Sequence, residues 1–300
     1  MSSKYTLEEL SRRPVKVKSR IALNKVVFYI VVILSLLTAI PLLSILIELI
    51  AKGWKQFNGA LFTEVVPTSM EAMFARQSGD VIPGGILNGI SGTLIMLGLA
   101  MLFSIPIGLL VGIYLAEKKD AKLASAIRTL TDILQGIPSI VIGIVIYMWV
   151  VKTMNGYSAL AGSVALALMM IPMITRSTEE SLRMIPDSLK EAGLALGGSY
   201  TTVMFRVILP SAFGGIFTGI LLAISRVMGE TAPLMVTALG ANYVHADITN
   251  PMSAVSLLIW EFYNDPNLAD LVWSSSLLLL LLILAMNLLA KLVASRWRIQ

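Results

Sequence analysis

Six stretches of this sequence are too long and too apolar to be at home in water. They run over about residues 26–50, 87–115, 130–151, 159–174, 213–240 and 271–293. A helix needs roughly 20 apolar residues to cross the ~30 Å hydrocarbon core of a bilayer. In lipid every backbone N–H and C=O must be paired within the structure, so only helices or a closed barrel can span it. Continuous apolar runs, in place of ten-residue alternations, select helices. The expected fold class is therefore an all-α polytopic membrane protein with six transmembrane helices. Composition agrees: 56% of the residues are hydrophobic and 14% charged, against about 25% charged in a soluble domain. The fourth run is short, which predicts a kink or tight packing.

Lysine and arginine alternate between the connecting segments. Residues 1–25 carry seven, 117–128 four, 175–209 four and the tail after 290 three, whereas 241–270 has none. By the positive-inside rule both termini are expected in the cytoplasm, and an even number of spans agrees. The domain reading is a cytoplasmic tail (1–25), a peripheral first span (26–50), an external segment (51–86) and a transmembrane core (87–293). That core contains a cytoplasmic loop (175–209), and a short cytoplasmic tail follows it (294–300). The first apolar run is too long for a signal-peptide core and lacks a small-residue cleavage site, so it reads as a span. The net charge of +5 is spent on topology, and no nucleic-acid partner is expected. With no cysteine, disulfide and thiol chemistry are excluded. No acidic, histidine or cysteine cluster has metal-ligand spacing, so no metal is expected. No glycine-rich phosphate loop is present, so no ATP site is expected on this chain. His245 stands alone in an external segment and reads as incidental. The sixteen methionines scatter through the spans as core filler.

One segment does not fit a purely apolar bundle. "SRVMGETAPLM" (225–235) puts Arg226 and Glu230 inside the fifth run. An ionisable residue at a helix centre in lipid costs about 2.5–3.5 kcal/mol on insertion scales. Four residues apart on a helix, the two side chains share a face. Either they neutralise each other, or Arg226 is a cationic station for an oxyanion, held by Glu230. A guanidinium suits phosphate because its planar fork donates two parallel hydrogen bonds. A carboxylate acceptor would favour a protonated phosphate over sulfate, and Thr231 adds a hydroxyl. Pro233 lacks the N–H that would bond the Gly229 carbonyl, which predicts an unwound turn over 229–233. Broken membrane helices of this kind are frequent at transport sites. Arg226 lies roughly 24 Å along the helix from Pro210, near the bilayer middle or somewhat past it.

Two further groups are candidates for the same path. Arg128, Asp132, Gln135 and Ser139 follow a three-to-four spacing, and "QGIPS" (135–139) breaks the third span. Arg128 and Asp132 read as a solvated helix start, while Gln135 and Ser139 are equally path residues or structural ones. Arg176, with Glu180 four residues on, ends the fourth run. By position alone it is a membrane-edge basic residue.

The 175–209 loop is polar, yet patterned as a helix. Pro186 ends one helix and starts another, and Gly197-Gly198 stops it. The prediction is a short helix over 187–196, with Leu189, Leu194 and Leu196 exposed on it. Apolar residues exposed on a protruding helix call for a partner. The stretch "EAGLALGGSYTTVMFRVILP" (191–210) resembles the EAA motif of ATP-binding-cassette importer permeases. That motif is Glu-Ala-small, three residues, Gly, nine residues, an aliphatic, any residue, then Leu-Pro. Here these positions are Glu191, Ala192, Gly193, Gly197, Val207, Leu209 and Pro210, with Gly193 replacing the usual second alanine. The segments 84–117, 134–147, 175–197 and 225–235 resemble, more narrowly, the PstA-type permeases of phosphate importers. The continuation Ala232-Pro233-Leu234 departs from the PstC-type partner permease, which shares the Gly-Glu-Thr.

The resemblance implies the type I importer permease fold. It implies a non-catalytic subunit that carries inorganic phosphate, located in a bacterial or archaeal plasma membrane (the inner membrane of a Gram-negative cell). The implied assembly has a PstC-type permease, a PstB-type ATPase dimer that holds ATP and magnesium, and an external PstS-type phosphate-binding protein. Glu191, Ala192, Gly197 and Pro210 are then the residues that couple to the ATPase, and Arg176 becomes a second phosphate-path arginine. Competing readings are a PstC-like partner subunit, a permease for another oxyanion, and an ATP-independent transporter or channel.

Overall fold

The computed structural model describes residues 14–296, with side chains described over 20–292. Of the expected cytoplasmic tails, residues 1–13 and 297–300 lie outside the described residues. All regular structure among the described residues is helical. A boundary between Ala51 and Lys52 divides the chain into two compact units. Among the described residues the first unit is all but the last two residues of α1 (Pro14–Gly53), a helix 40 residues long that extends past the predicted 26–50 at both ends. Its most apolar window is 0% buried. A helix apolar on all sides is suited to lipid.

The second unit begins with a cap. It contains the short α2 (Ser69–Ser78). The Thr68 hydroxyl accepts from the Glu71 N–H at 3.3 Å, and the Glu71 carboxylate accepts from the Thr68 N–H at 2.9 Å. These reciprocal bonds satisfy two of the donors a helix start leaves orphaned. The Thr68 N–H and the Thr68 hydroxyl, both donating to the Glu71 carboxylate, hold it below its usual range. Next come α3 (Leu87–Glu117), α4 (Lys122–Gly136) and α5 (Ser139–Ile146), the last extended by a π-helical turn over Tyr147–Val151. After α6 (Ala159–Arg183) and α7 (Asp187–Ala195), a helical turn Tyr200–Val203 and a π-helical turn Met204–Ile208 lead into α8 (Leu209–Val227). The chain ends through α9 (Ala232–Met235), α10 (Val255–Asn264) and α11 (Ala269–Arg296).

Among the described residues five helices are long and apolar enough to cross a bilayer, and α4 with α5 makes a sixth if that pair, bent by 103°, is one span. The bend falls at Ile137 and Pro138, as the 135–139 stretch predicts. Proline disfavours helix in the residue before it, and both residues adopt extended ψ, 131° and 135°. The corner removes Ser139 from the stripe of Arg128, Asp132 and Gln135.

The fourth span is tightly packed, not kinked into a short piece. α6 continues through 25 residues to Arg183, and 67% of its apolar window is buried. Small residues permit this. A Cβ on Gly112 of α3 would stand 2.5 Å from Thr178 Cβ, and one on Gly219 of α8 only 1.7 Å from Ser177 Oγ. Both glycines therefore let a helix backbone close on α6. Around this hub the main core joins α3, α5, α6 and α8.

Two smaller cores mark the ends of the unit. At one, Leu61, Ala72, Ile82 and Ile86 pack with Val255, Leu258, Phe262 and Leu271. Bonds from Ser69 to Asp265 and from Arg76 to the Pro266 carbonyl tie this cap together. At the other end, Ala116, Leu182, Val203, Met204, Ile208 and Ala212 pack beneath α7.

Candidate functional site

The fifth span breaks where Pro233 predicts. α8 stops at Val227, and tight turns close its end through Gly229 N–H to the Arg226 carbonyl (3.3 Å) and Glu230 N–H to the Val227 carbonyl (3.1 Å). Pro233 then lies in the first turn of α9, where its missing donor costs nothing. The buried Pro233 is held against α5: a Cβ on Gly143 would stand 2.7 Å from Pro233 Cα.

This break overturns the expected Arg226–Glu230 pairing. With α8 ended at Val227, the four-residue rule no longer applies to Glu230, and no ion pair joins the two among the described residues. Instead Arg226 is exposed, and among the described residues its guanidinium reaches the Met173 sulfur, at 3.6 Å, and no carboxylate. Glu230 is half-buried. Its carbonyl accepts from Ser256 Oγ at 2.8 Å, while Thr231 Oγ1 donates to the Ser256 carbonyl at 3.3 Å. Glu230 and Thr231 are thus fastened to α10.

Arg226 belongs with a different set. Met173 follows Pro172, whose carbonyl accepts from Gln135 Nε2 at 3.3 Å. One turn further along α6 is Arg176, its side chain 49% exposed. Gln135, Arg176 and Arg226 therefore converge on one stretch of α6, while Ser139 starts α5 on the far side of the corner. Arg176 is no bare membrane-edge charge. It pairs with Glu180 at 2.6 Å and with Asp132 of α4 at 3.8 Å. The pairing expected at Arg226 occurs here, because α6 is continuous across the four residues.

Arg128 also departs from expectation. Its Nε donates to Glu179 Oε1 at 2.7 Å, and its two terminal nitrogens donate to the Lys119 and Leu115 carbonyls at 2.9 and 2.8 Å. Arg183 reaches the same Glu179 oxygen at 2.7 Å. Glu179, 2% exposed, was not singled out by sequence reasoning. Its identity gives no signal, since it sits in a polar "STEES" stretch that reads as solvated.

The predicted surface helix is α7, one residue shorter than expected, with none of its residues buried. Glu191, Ala192 and Gly197 are exposed, as is Pro210 at the start of α8. Met184 and Leu196 are 83% and 90% exposed. Gly197 stops the helix at φ +85°, a left-handed value that favours glycine. The departure at Gly193 has a packing reason: a Cβ there would stand 2.9 Å from Val203 Cγ1. α7 is fastened to the end of α3 by Lys190 Nζ to Glu117 Oε2 at 2.5 Å and by Lys119 to Asp187 at 3.6 Å. An open cavity of about 460 Å³ lies between these segments, lined by Glu117, Lys119, Arg183, Asp187 and Lys190.

Residues 108–299 match the model of the family described as binding-protein-dependent transport system inner membrane component. The chain is 37% identical to the phosphate transport system permease protein PstA of Yersinia pestis, over 85% of this chain and 84% of that one. It is 35% identical to the probable phosphate transport system permease protein PstA of Methanocaldococcus jannaschii, over 91% and 94%. The chain belongs to the PstA family of transport-system permeases. Among solved structures it is similar to the inward-facing MetNI methionine ABC transporter. That likeness has a TM-score of 0.60 at 22% identity and covers 70% of this chain and 94% of the other. A bacterial ABC transporter involved in the import of the acidic polysaccharide alginate has a TM-score of 0.56 at 14% identity, with 94% of this chain and 99% of that one covered. The fold is that of ABC type I importer permeases, and this PstA-family member is a multi-pass inner-membrane component.

Proposed function

We propose that this chain is the non-catalytic permease subunit of an ATP-driven importer of inorganic phosphate. The observation that carries the reading is PstA kinship along most of the chain, joined to two arginines exposed on one α6–α8 face. A guanidinium left facing lipid is costly, so the Arg176–Arg226 face needs cover. A PstC-type permease docked there would close the second half of a pathway lined with phosphate-binding forks. The termini and α7 lie on the cytoplasmic side, and the 51–86 and 241–270 segments on the external side. A PstS-type protein delivers phosphate to that external cap. A PstB-type ATPase dimer, holding ATP and magnesium, docks on α7 through the exposed Leu196, Glu191, Ala192 and Gly197. ATP-driven closure of that dimer moves α7. Phosphate then reaches the Arg226 region and is released inward after hydrolysis.

The test is reconstitution of the four components in proteoliposomes. ATP-dependent uptake of labelled phosphate, unaffected by excess sulfate, is the expected result. Uptake that persists without ATP, or after Glu191 and Gly197 substitutions that abolish ATPase binding, would refute the ATP-driven reading.

A further inference from the structure

The Arg128–Glu179–Arg183 cluster stands beside Arg176 on α6, and phosphate passage does not explain it. Each guanidinium bond has a distinct consequence. Through Leu115 and Lys119, Arg128 holds carbonyls at and beyond the end of α3, which a helix leaves without partners. Through Glu179, the same side chain holds α6. Arg128 itself belongs to α4, so one guanidinium fastens three elements. Arg183 adds a second bond to Glu179 and stands four residues before the start of α7. Three residues before Glu179, on the same helix, is Arg176.

Glu179 is buried while Arg128 and Arg183 reach the surface, and ion pairs around a buried carboxylate add little net stability compared with an apolar replacement, because desolvation offsets the attraction. The cluster's distinctive property is direction. The apolar contacts beneath α7 allow helices to slide, whereas three charge-assisted bonds from one planar fork fix their register. Resting on the reading of the chain as an ATP-driven permease, we infer that Glu179 is a positioning residue of the transport cycle. Held by Arg128 and Arg183, it locks the adjoining ends of α3, α4 and α6 into one body, so that displacement of α7 is delivered to the Arg176–Arg226 face.

The experiment measures phosphate uptake per ATP hydrolysed in the reconstituted complex, together with the amount of complex assembled. In Glu179→Gln, ATP turnover stimulated by the loaded binding protein should persist within about twofold while uptake per ATP falls about tenfold. Arg128→Lys keeps the charge but cannot bridge Glu179 and two carbonyls at once, so it should uncouple to a similar degree. Arg183→Lys, which needs to replace only a single bond, should stay within about twofold of wild type. If Glu179→Gln fails to assemble, Arg128→Lys decides. A wild-type ratio in the assembled variants, including uptake and turnover falling together, overturns the inference. Absence of phosphate uptake by the wild-type complex would instead overturn the parent reading of function.

Discussion

Arg176 and Arg226 each stand four residues before a glutamate, and only the first pair closes. Arg176 meets Glu180 at 2.6 Å, because α6 runs unbroken through both. Arg226 ends one residue short of the α8 terminus, and Pro233 forces the chain to turn before Glu230 can come round to the same face. The two regions therefore present different chemistry from the same spacing. One holds an arginine shared between Glu180 and Asp132. The other holds an arginine that, among the described residues, meets a soft sulfur and no carboxylate, which leaves its fork available to an oxyanion.

The comparison is tested most strongly by removing each charge in turn. A hydrogen bond to a charged group contributes about 1.5–3 kcal/mol, so Arg226→Gln should lower phosphate uptake roughly ten- to hundred-fold at constant complex level. Arg176→Gln should lower it less, since carboxylates already compensate that charge. Equal losses in labelled-phosphate uptake would erase the distinction.

A second variant probes what keeps the Arg226 pair open. In Gly143→Ala the new methyl would press on Pro233 Cα at 2.7 Å. Overpacking of this kind costs about 1–3 kcal/mol, and the purified protein should unfold at correspondingly lower denaturant or temperature. An unchanged midpoint would mean that the α5–α9 contact does not hold the break.

The closed pair should matter less to stability than its short distance suggests. Its partners are 49% and 61% exposed, and exposed pairs contribute about 0–1 kcal/mol. Glu180→Gln should leave the unfolding midpoint nearly unmoved, while a large drop would show that the pair is shielded in the assembly. The smallest effect is expected far from both pairs, in the cap. Glu71 has its carboxyl lowered by the Thr68 backbone and hydroxyl bonds. A depressed carboxyl contributes stability above its unfolded value, about 4.3, and loses it as pH falls through the folded value. Amide exchange in the first turn of α2 should therefore quicken below that window and not above it.

Local chemistry made much of this protein legible from its sequence. The apolar runs, the proline breaks at 138 and 233 and the glycine stop at 197 are decided within a few residues, by hydrophobic length and by missing or permissive backbone geometry. The surface helix α7 was readable for the same reason. Glu179 was not, because a carboxylate in a polar stretch looks the same whether it meets water or two guanidiniums. Nor could spacing tell that α6 would continue nine residues past its apolar run, which depends on packing by α3, α4 and α8.

The sequence by itself determined that the chain spans a membrane by helices, where those helices break, and which family it belongs to. Only the tertiary structure decided which charges meet. Arg176 with Glu180, Arg128 with Glu179, and Arg226 with neither follow from where each helix ends and which neighbour closes on it. Ion pairing requires a few ångströms of proximity, and residue spacing supplies that only while the backbone between them stays regular.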